Sequence, residues 1–202
     1  MELRRAIESR RMTRDFADTD VAEAVVSDLV DLASRAPSAG KTPGWSLLGL
    51  RDDARLRFWD LSLPADKRGG FAWPGLLRAP VVALSLADPN AYVDRYSEPD
   101  KAHTGLGSGV DAWGAPYWTI DASMATMALL LAAHDAGLGA LFFAVFNEAD
   151  AIRREFGIPD ALQLLGAVAL GHPVSATGDA RRGVSAPRSR RRASDIIHVN
   201  RW

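Results

Sequence analysis

The chain has 202 residues, a formal net charge of −1, 48% hydrophobic and 24% charged side chains, and no cysteine. That length suits one domain with a substantial core, and the lack of cysteine excludes disulfides, thiolate catalysis and cysteine-ligated metals. Near-neutral charge gives no reason to expect nucleic acid or a membrane surface as the main partner. The longest nearly apolar run, Met124 to Ala133, falls far short of the ~20 residues that span a bilayer. The opening MELRRAIESRRMTRDF is too charged for the apolar core of a secretion signal, so the expected location is the cytoplasm.

Taken in chain order, Thr19 to Arg35 predicts an amphipathic helix. Val25, Val26, Leu29, Leu32 and Ala33 recur at helical spacing, Asp20 and Glu23 resemble a capping pair, and Ala36-Pro37 stops the run. Trp45 to Leu50 reads as a strand, Asp53 to Leu61 as a short helix, and Val81 to Leu86 as a strand. Asp88 to Trp118, rich in Gly, Pro, Asp and aromatics, predicts a long ordered excursion. Asp121 to Ala136 is apolar on almost every face, which suits a helix central to a core or buried between subunits. Gly137-Leu138-Gly139 would end it. Leu141 to Phe146 follows as a strand, Asn147 as the cap of a helix to Phe156, and Leu162 to Leu170 as a further strand. From Val174 to Trp202 the chain lacks apolar periodicity, yet Ile196, Ile197, Val199 and Trp202 are too apolar for a solvated tail. Helices and strands mixed without a strict βαβ rhythm predict an α+β fold, with residues 1–202 as one domain and 174–202 as its C-terminal extension.

Three clusters could carry chemistry. Arg10, Arg11 and Arg14, within Ser9-Arg10-Arg11-Met12-Thr13-Arg14 at a helix end, either hold a phosphate through charge-assisted bonds or form a solvated basic face. Ala36-Pro37-Ser38-Ala39-Gly40-Lys41 is either a turn between helix and strand or a loop whose small residues let backbone N–H groups approach a ligand. The basic run Arg181, Arg182, Arg188, Arg190, Arg191 and Arg192 lacks the interleaved aromatics of a nucleic-acid site and suits a small anion or solvation. His103, His134, His172 and His198 lack metal-ligand spacing, and His134, on an apolar helix, reads as a core or interface residue. Gly105-Leu106-Gly107-Ser108-Gly109 lacks the strand and helix that flank a dinucleotide-binding turn.

The order of these clusters is more specific than any one of them. SRRMTRDF resembles the R-R-S-x-R-x-F signature of the nitroreductase family, and APSAGKTPGW its A-P-S-A-G-N-x-Q-P-W segment. LAAHDAGLGALFFAVF resembles its A-x-x-x-G-L-G passage. IRREFGIPDALQLLGAVALGHP and SRRRASDIIH are similar to the runs that close its chains. The resemblance implies a mixed sheet flanked by helices, in an intertwined homodimer whose C-terminal tails wrap the partner. It implies FMN at the dimer interface, reduced by NADH or NADPH. Arg10, Arg11, Met12 and Arg14 would meet the flavin or its phosphate. Pro37, Ser38, Ala39 and Lys41 would come from the partner chain, the backbone at Phe143 and Ala144 would lie against the isoalloxazine, and one or two of Arg188, Arg190 and Arg191 would clamp the phosphate. Met12 stands where the family has serine, Lys41 where it has asparagine, Pro43 and Gly44 where Gln-Pro is common, and Ala144 where glycine is frequent.

The implied function is transfer of hydride from NAD(P)H, through flavin, to a nitroaromatic, a quinone or a related small acceptor, by a ping-pong mechanism. The chemistry would belong to the flavin, so no side chain is named as a catalytic acid or base. The aromatics Trp73, Tyr92, Tyr96, Trp113, Tyr117 and Trp118 either set acceptor specificity or pack the excursion. The substitutions around the isoalloxazine also admit a flavin-sequestering or flavin-sensing protein of the same fold with little turnover.

Overall fold

A strand whose every residue is buried organises the structure, a computed structural model that describes residues 1–145, 147–175 and 187–202. This strand, β2 (Val81–Ala87), lies between β1 (Trp45–Leu50) and β4 (Gln163–Gly171), and β3 (Gly139–Phe143) pairs with the far side of β4. All three ladders are antiparallel, and the parallel element is an isolated bridge between Met12 and Ala140. Alternation along the central strands explains burial on both faces. Val82, Leu84, Leu86, Ala167 and Ala169 join one core with Phe58 and Trp59 of α3 (Asp52–Ser62) and Ile152 of α7 (Ala149–Glu155). Val81, Ala83, Val168 and Leu170 join a second with Leu29 and Ala33 of α2 (Glu23–Ala33) and Leu129, Leu130 and Ala133 of α6 (Tyr117–Asp135). The α+β class follows from helices packed on both faces of an antiparallel sheet. No helix among the described residues is long and apolar enough to cross a membrane.

Three smaller helices complete the order: α1 (Leu3–Ser9), α4 (Ala65–Arg68) and α5 (Pro89–Ser97). Sequence periodicity places the large elements to within a few residues, and the differences have local causes. The helix expected from Thr19 begins at Glu23 after an extended Ala22, and Asp20 does not cap it, because Arg51 claims the Asp20 carboxylate at 3.1 Å. Asn147 does not cap α7 either; the cap position is Glu148, which turns the chain through a left-handed φ of 56°. The strand expected over Leu141–Phe146 starts at Gly139 and ends at Phe143, where Phe143 faces Ala167 beside the irregular Gly166. Phe146 lies outside the described residues. The excursion from Asp88 is ordered as expected, but it contains α5 and three short 3₁₀ turns, and α6 begins at Tyr117. The expected glycine stop holds, with Gly137 in the left-handed region after α6.

Outside the two cores, apolar side chains face outward on one side. Tyr117, Ile120, Met124 and Met127 of α6 are exposed, as are Leu3 and Ile7 of α1. The helix read from sequence as apolar on every face is therefore central on one face and uncovered on the other.

Candidate functional site

The Arg10–Arg14 segment is fixed against the edge of the sheet. Thr13 N–H donates to the Ala140 carbonyl at 3.0 Å, and Met12 bridges Ala140 while packing on both cores. Gly139 makes this approach possible, since a Cβ there would overlap the Thr13 side chain. The arginines are thus set beside the end of β3 by backbone pairing.

Among the described residues, Arg11 Nη1 donates to the nearby carbonyls of Glu8 and Arg10. Arg10 Nη1 is buried and has no acceptor among the described residues. Burial, with Arg190 and Arg11 close by, holds the Arg10 pKa below its ordinary value. Three cations converging on one place, one of them unsatisfied and desolvated, is unfavourable without an anion. A phosphate monoester carries about −1.5 to −2 charge and three acceptor oxygens, so the residues present fit the phosphate end of FMN. His134 sits at the same place, its Nε2 2.7 Å from Ser9 Oγ, with its pKa lowered by burial, Arg10 and Arg11. Read from sequence as a core or interface histidine, it is half-buried and hydrogen-bonded beside the arginine cluster.

Arg14 turns to the other side. Its Nη1 donates to the Met12 carbonyl at 3.3 Å, and its guanidinium lies over the Trp73 ring, 5.1 Å from the centroid. Arg14, Trp73, Phe143 and Ala144 line one cavity of about 370 Å³, with Trp59 and Phe71 on its walls. Trp59 stacks on Phe143 at an interplanar angle of 8°. The cavity is a flat-walled aromatic slot with one cation in its lining.

Pro37, Ser38 and Lys41 line a different cavity, of about 580 Å³, together with Tyr92 and Asp121. Within one chain the structure therefore brings Arg10, Arg11 and Arg190 together, and Arg14 with Phe143 and Ala144, and sets Pro37, Ser38, Ala39 and Lys41 apart from both. The Ala39 N–H does not point free toward a ligand: it donates to Asp121 Oδ2 at 2.8 Å. Sequence reading missed Asp121, Ser9 and Arg95 as site residues. The one available signal for Asp121 was a carboxylate at the start of a largely apolar helix.

Of the aromatics singled out, Tyr92, Tyr96, Trp113, Tyr117 and Trp118 pack on one another around Trp113, and only Trp73 lies with the aromatic slot. Packing is thus the role five of the six display. The tail from Pro187 onward is exposed, with Ile196 at 59%, Ile197 at 63%, Val199 at 72% and Trp202 at 97%. Arg188 and Arg191 are exposed as well, while Arg181 and Arg182 lie outside the described residues. Among those residues no acidic or histidine cluster could hold a metal ion.

A helix-flanked antiparallel sheet with a basic segment docked on its edge strand defines an α+β protein with an arginine-rich edge and an aromatic slot. A model of the family described as the nitroreductase family matches residues 7–172, and the chain belongs to that family. It is 27% identical over 205 residues to a Methanothermobacter thermautotrophicus protein provisionally named NADH dehydrogenase/NAD(P)H nitroreductase, covering 100% of this chain and 88% of that one. A provisionally named nitroreductase from Bacillus subtilis shares the fold with a TM-score of 0.77 at 19% identity, over 98% of both chains. Another, from Exiguobacterium sibiricum and solved in complex with FMN, has a TM-score of 0.75 at 17% identity, covering 98% of this chain and 97% of that one.

Proposed function

We propose that this chain is an FMN-dependent oxidoreductase, active as a homodimer, that carries hydride from NADH or NADPH to a small acceptor such as a nitroaromatic or a quinone. The observation that carries this reading is the buried Arg10 Nη1, left without an acceptor among the described residues, with the charges of Arg190 and Arg11 near enough to lower the Arg10 pKa. Arg10, Arg11 and Arg190 would hold the phosphate, with Arg188 or Arg191 free to add a second clamp. Arg14 and Met12 would meet the flavin on one side, and the backbone at Phe143 and Ala144 on another. FMN held by these residues would supply the two-electron redox chemistry between nicotinamide and acceptor. The chain's own part is electrostatic and steric. Arg14 offers a fixed cation where negative charge develops on reduction, and the aromatic walls exclude water.

Two features support the dimer. The exposed apolar row on α1 and α6, and the exposed Ile196, Ile197, Val199 and Trp202, are surfaces that a second copy would cover. The separation of Pro37, Ser38, Ala39 and Lys41 from the arginine cluster is what a site shared between two chains would produce, these four residues serving the partner's flavin. Steady-state oxidation of NADPH or NADH with a quinone acceptor tests the mechanism. Parallel lines in double-reciprocal plots are expected, because donor and acceptor would alternate in one site. Intersecting lines would contradict the alternation. Tight FMN binding without turnover would favour the sequestering role instead.

A further inference from the structure

The turn that carries Ser38 and Lys41 is held from beneath by groups outside it. Ala39 N–H and the Tyr92 hydroxyl both donate to Asp121 Oδ2, each at 2.8 Å. Asp121 is only 6% exposed and Tyr92 only 1%. On the other side, Arg95 Nε donates to the Gly40 carbonyl at 2.8 Å, while its two terminal nitrogens each lie 2.8 Å from the Asp100 carboxylate. Thr42 Oγ1 closes the turn by donating to the Ala39 carbonyl at 2.6 Å. The backbone held this way is one that a side chain rarely adopts, with φ of 65° at Gly40 and 56° at Lys41. Gly44 leaves the space that the Tyr92 ring occupies, since a Cβ there would overlap it.

A buried carboxylate is costly unless its hydrogen bonds repay the lost hydration. Here the first bond ties α6 to the turn, and the second ties α5 to α6 through the same carboxylate oxygen. Burial and the Asp121 carboxylate push the Tyr92 pKa up, so its hydroxyl stays protonated and remains a donor. Resting on the FMN reading above, we infer that Asp121 and Tyr92 are positioning residues that preset the Ser38–Lys41 turn for flavin. Ala39 then acts as the fixed point of the turn through its own N–H, and Ser38 and Lys41 are the groups presented.

The test measures amide hydrogen exchange across residues 38–42 and FMN affinity by fluorescence quenching, in the wild type and in Asp121→Ala, Asp121→Asn and Tyr92→Phe. Asp121→Ala should speed exchange at Ala39 while amides of β2 and β4 stay protected. It should weaken FMN binding by about tenfold to a hundredfold, the scale of a lost charge-assisted hydrogen bond. Asp121→Asn keeps an acceptor of the same shape and should restore most of the affinity and protection, with Tyr92→Phe between the two. A role confined to bulk stability would instead move the sheet amides together with Ala39. Unchanged exchange and affinity in Asp121→Ala would overturn the inference. Should that variant fail to fold, Tyr92→Phe decides it: unchanged Ala39 exchange and FMN affinity would equally overturn it. A wild type that does not bind FMN would sink the cofactor reading separately, and the exchange result alone would then settle whether the pair fixes the turn.

Discussion

The two sets of residues proposed to meet the flavin are held in opposite ways. In the Ser38–Thr42 turn, the Ala39 N–H and the carbonyls of Ala39 and Gly40 are all engaged by side chains of the same chain. In the Arg10–Arg14 segment the backbone is fixed on β3, but among the described residues the guanidinium groups of Arg11 and Arg14 donate to local carbonyls, and Arg10 Nη1 reaches no acceptor. One region has its hydrogen bonds made as folded, whereas the other leaves Arg10 Nη1 without an acceptor among the described residues, the place where the proposed phosphate would sit. The difference teaches where binding energy should come from. The turn contributes by being ordered before the ligand arrives, which spares the entropy of ordering it. The arginines contribute charge-assisted bonds that the free protein cannot make.

That contrast can be broken by experiment. The largest expected effect is from deleting Arg188 to Trp202, which removes the exposed apolar residues Ile196, Ile197, Val199 and Trp202 together with three arginines of the proposed phosphate site. Sedimentation should show loss of the dimer and of bound FMN, and an intact flavin-loaded dimer would contradict the account. Next, Arg10→Ala and Arg14→Ala should each weaken FMN binding by about 1.5–3 kcal/mol, the range for hydrogen bonds to charged groups. Because Arg10 lies beside like charges, Arg10→Ala should leave the Tm of the FMN-free protein unchanged or raised. A fall in that Tm would mean that Arg10 is already satisfied without ligand.

Smaller effects sharpen the same comparison. Lys41 holds a left-handed φ that asparagine tolerates better, so Lys41→Asn should stabilise the FMN-free protein by up to about 1 kcal/mol in a denaturant titration. Destabilisation would show that the lysine stem packs on the turn. The pH dependence concerns His134, whose pKa is lowered from 6.5 by burial, Arg10 and Arg11, with Asp135 opposing. A depressed folded pKa means that the unfolded chain takes up the proton first. Stability of the FMN-free protein should thus be full above 6.5 and decline as pH falls from there toward the folded pKa. His134→Gln should flatten that decline, and an unchanged pH profile in the variant would assign it to other groups.

Much of this was legible in the sequence because periodicity and punctuation report burial. Val81 to Leu86 and Leu162 to Leu170 read as strands because they are continuous apolar runs, which the structure buries between two cores, and Gly137 ended α6 because glycine takes the left-handed turn there. Arginine clustering marked Arg10, Arg11 and Arg14 as one group and Arg181 to Arg192 as another, whereas the proximity of Arg190 to Arg10 is a product of the fold. What escaped was tertiary. Asp20 looked like a helix cap until Arg51, distant in sequence, claimed it. Asp121 looked incidental because its partners, Ala39 and Tyr92, lie 82 and 29 positions away. Gly139 read as a helix stop, yet its second role, admitting Thr13 to the edge of β3, depends on a segment from the other end of the chain.

The most direct test of the central claim is the visible absorption spectrum of the purified protein, followed by anaerobic addition of NADPH and then NADH. The expected result is a yellow protein with the spectrum of bound flavin, bleached by at least one of the two nucleotides. A colourless protein that cannot be reloaded with FMN would contradict it, since the arginine cluster would then serve some other anion.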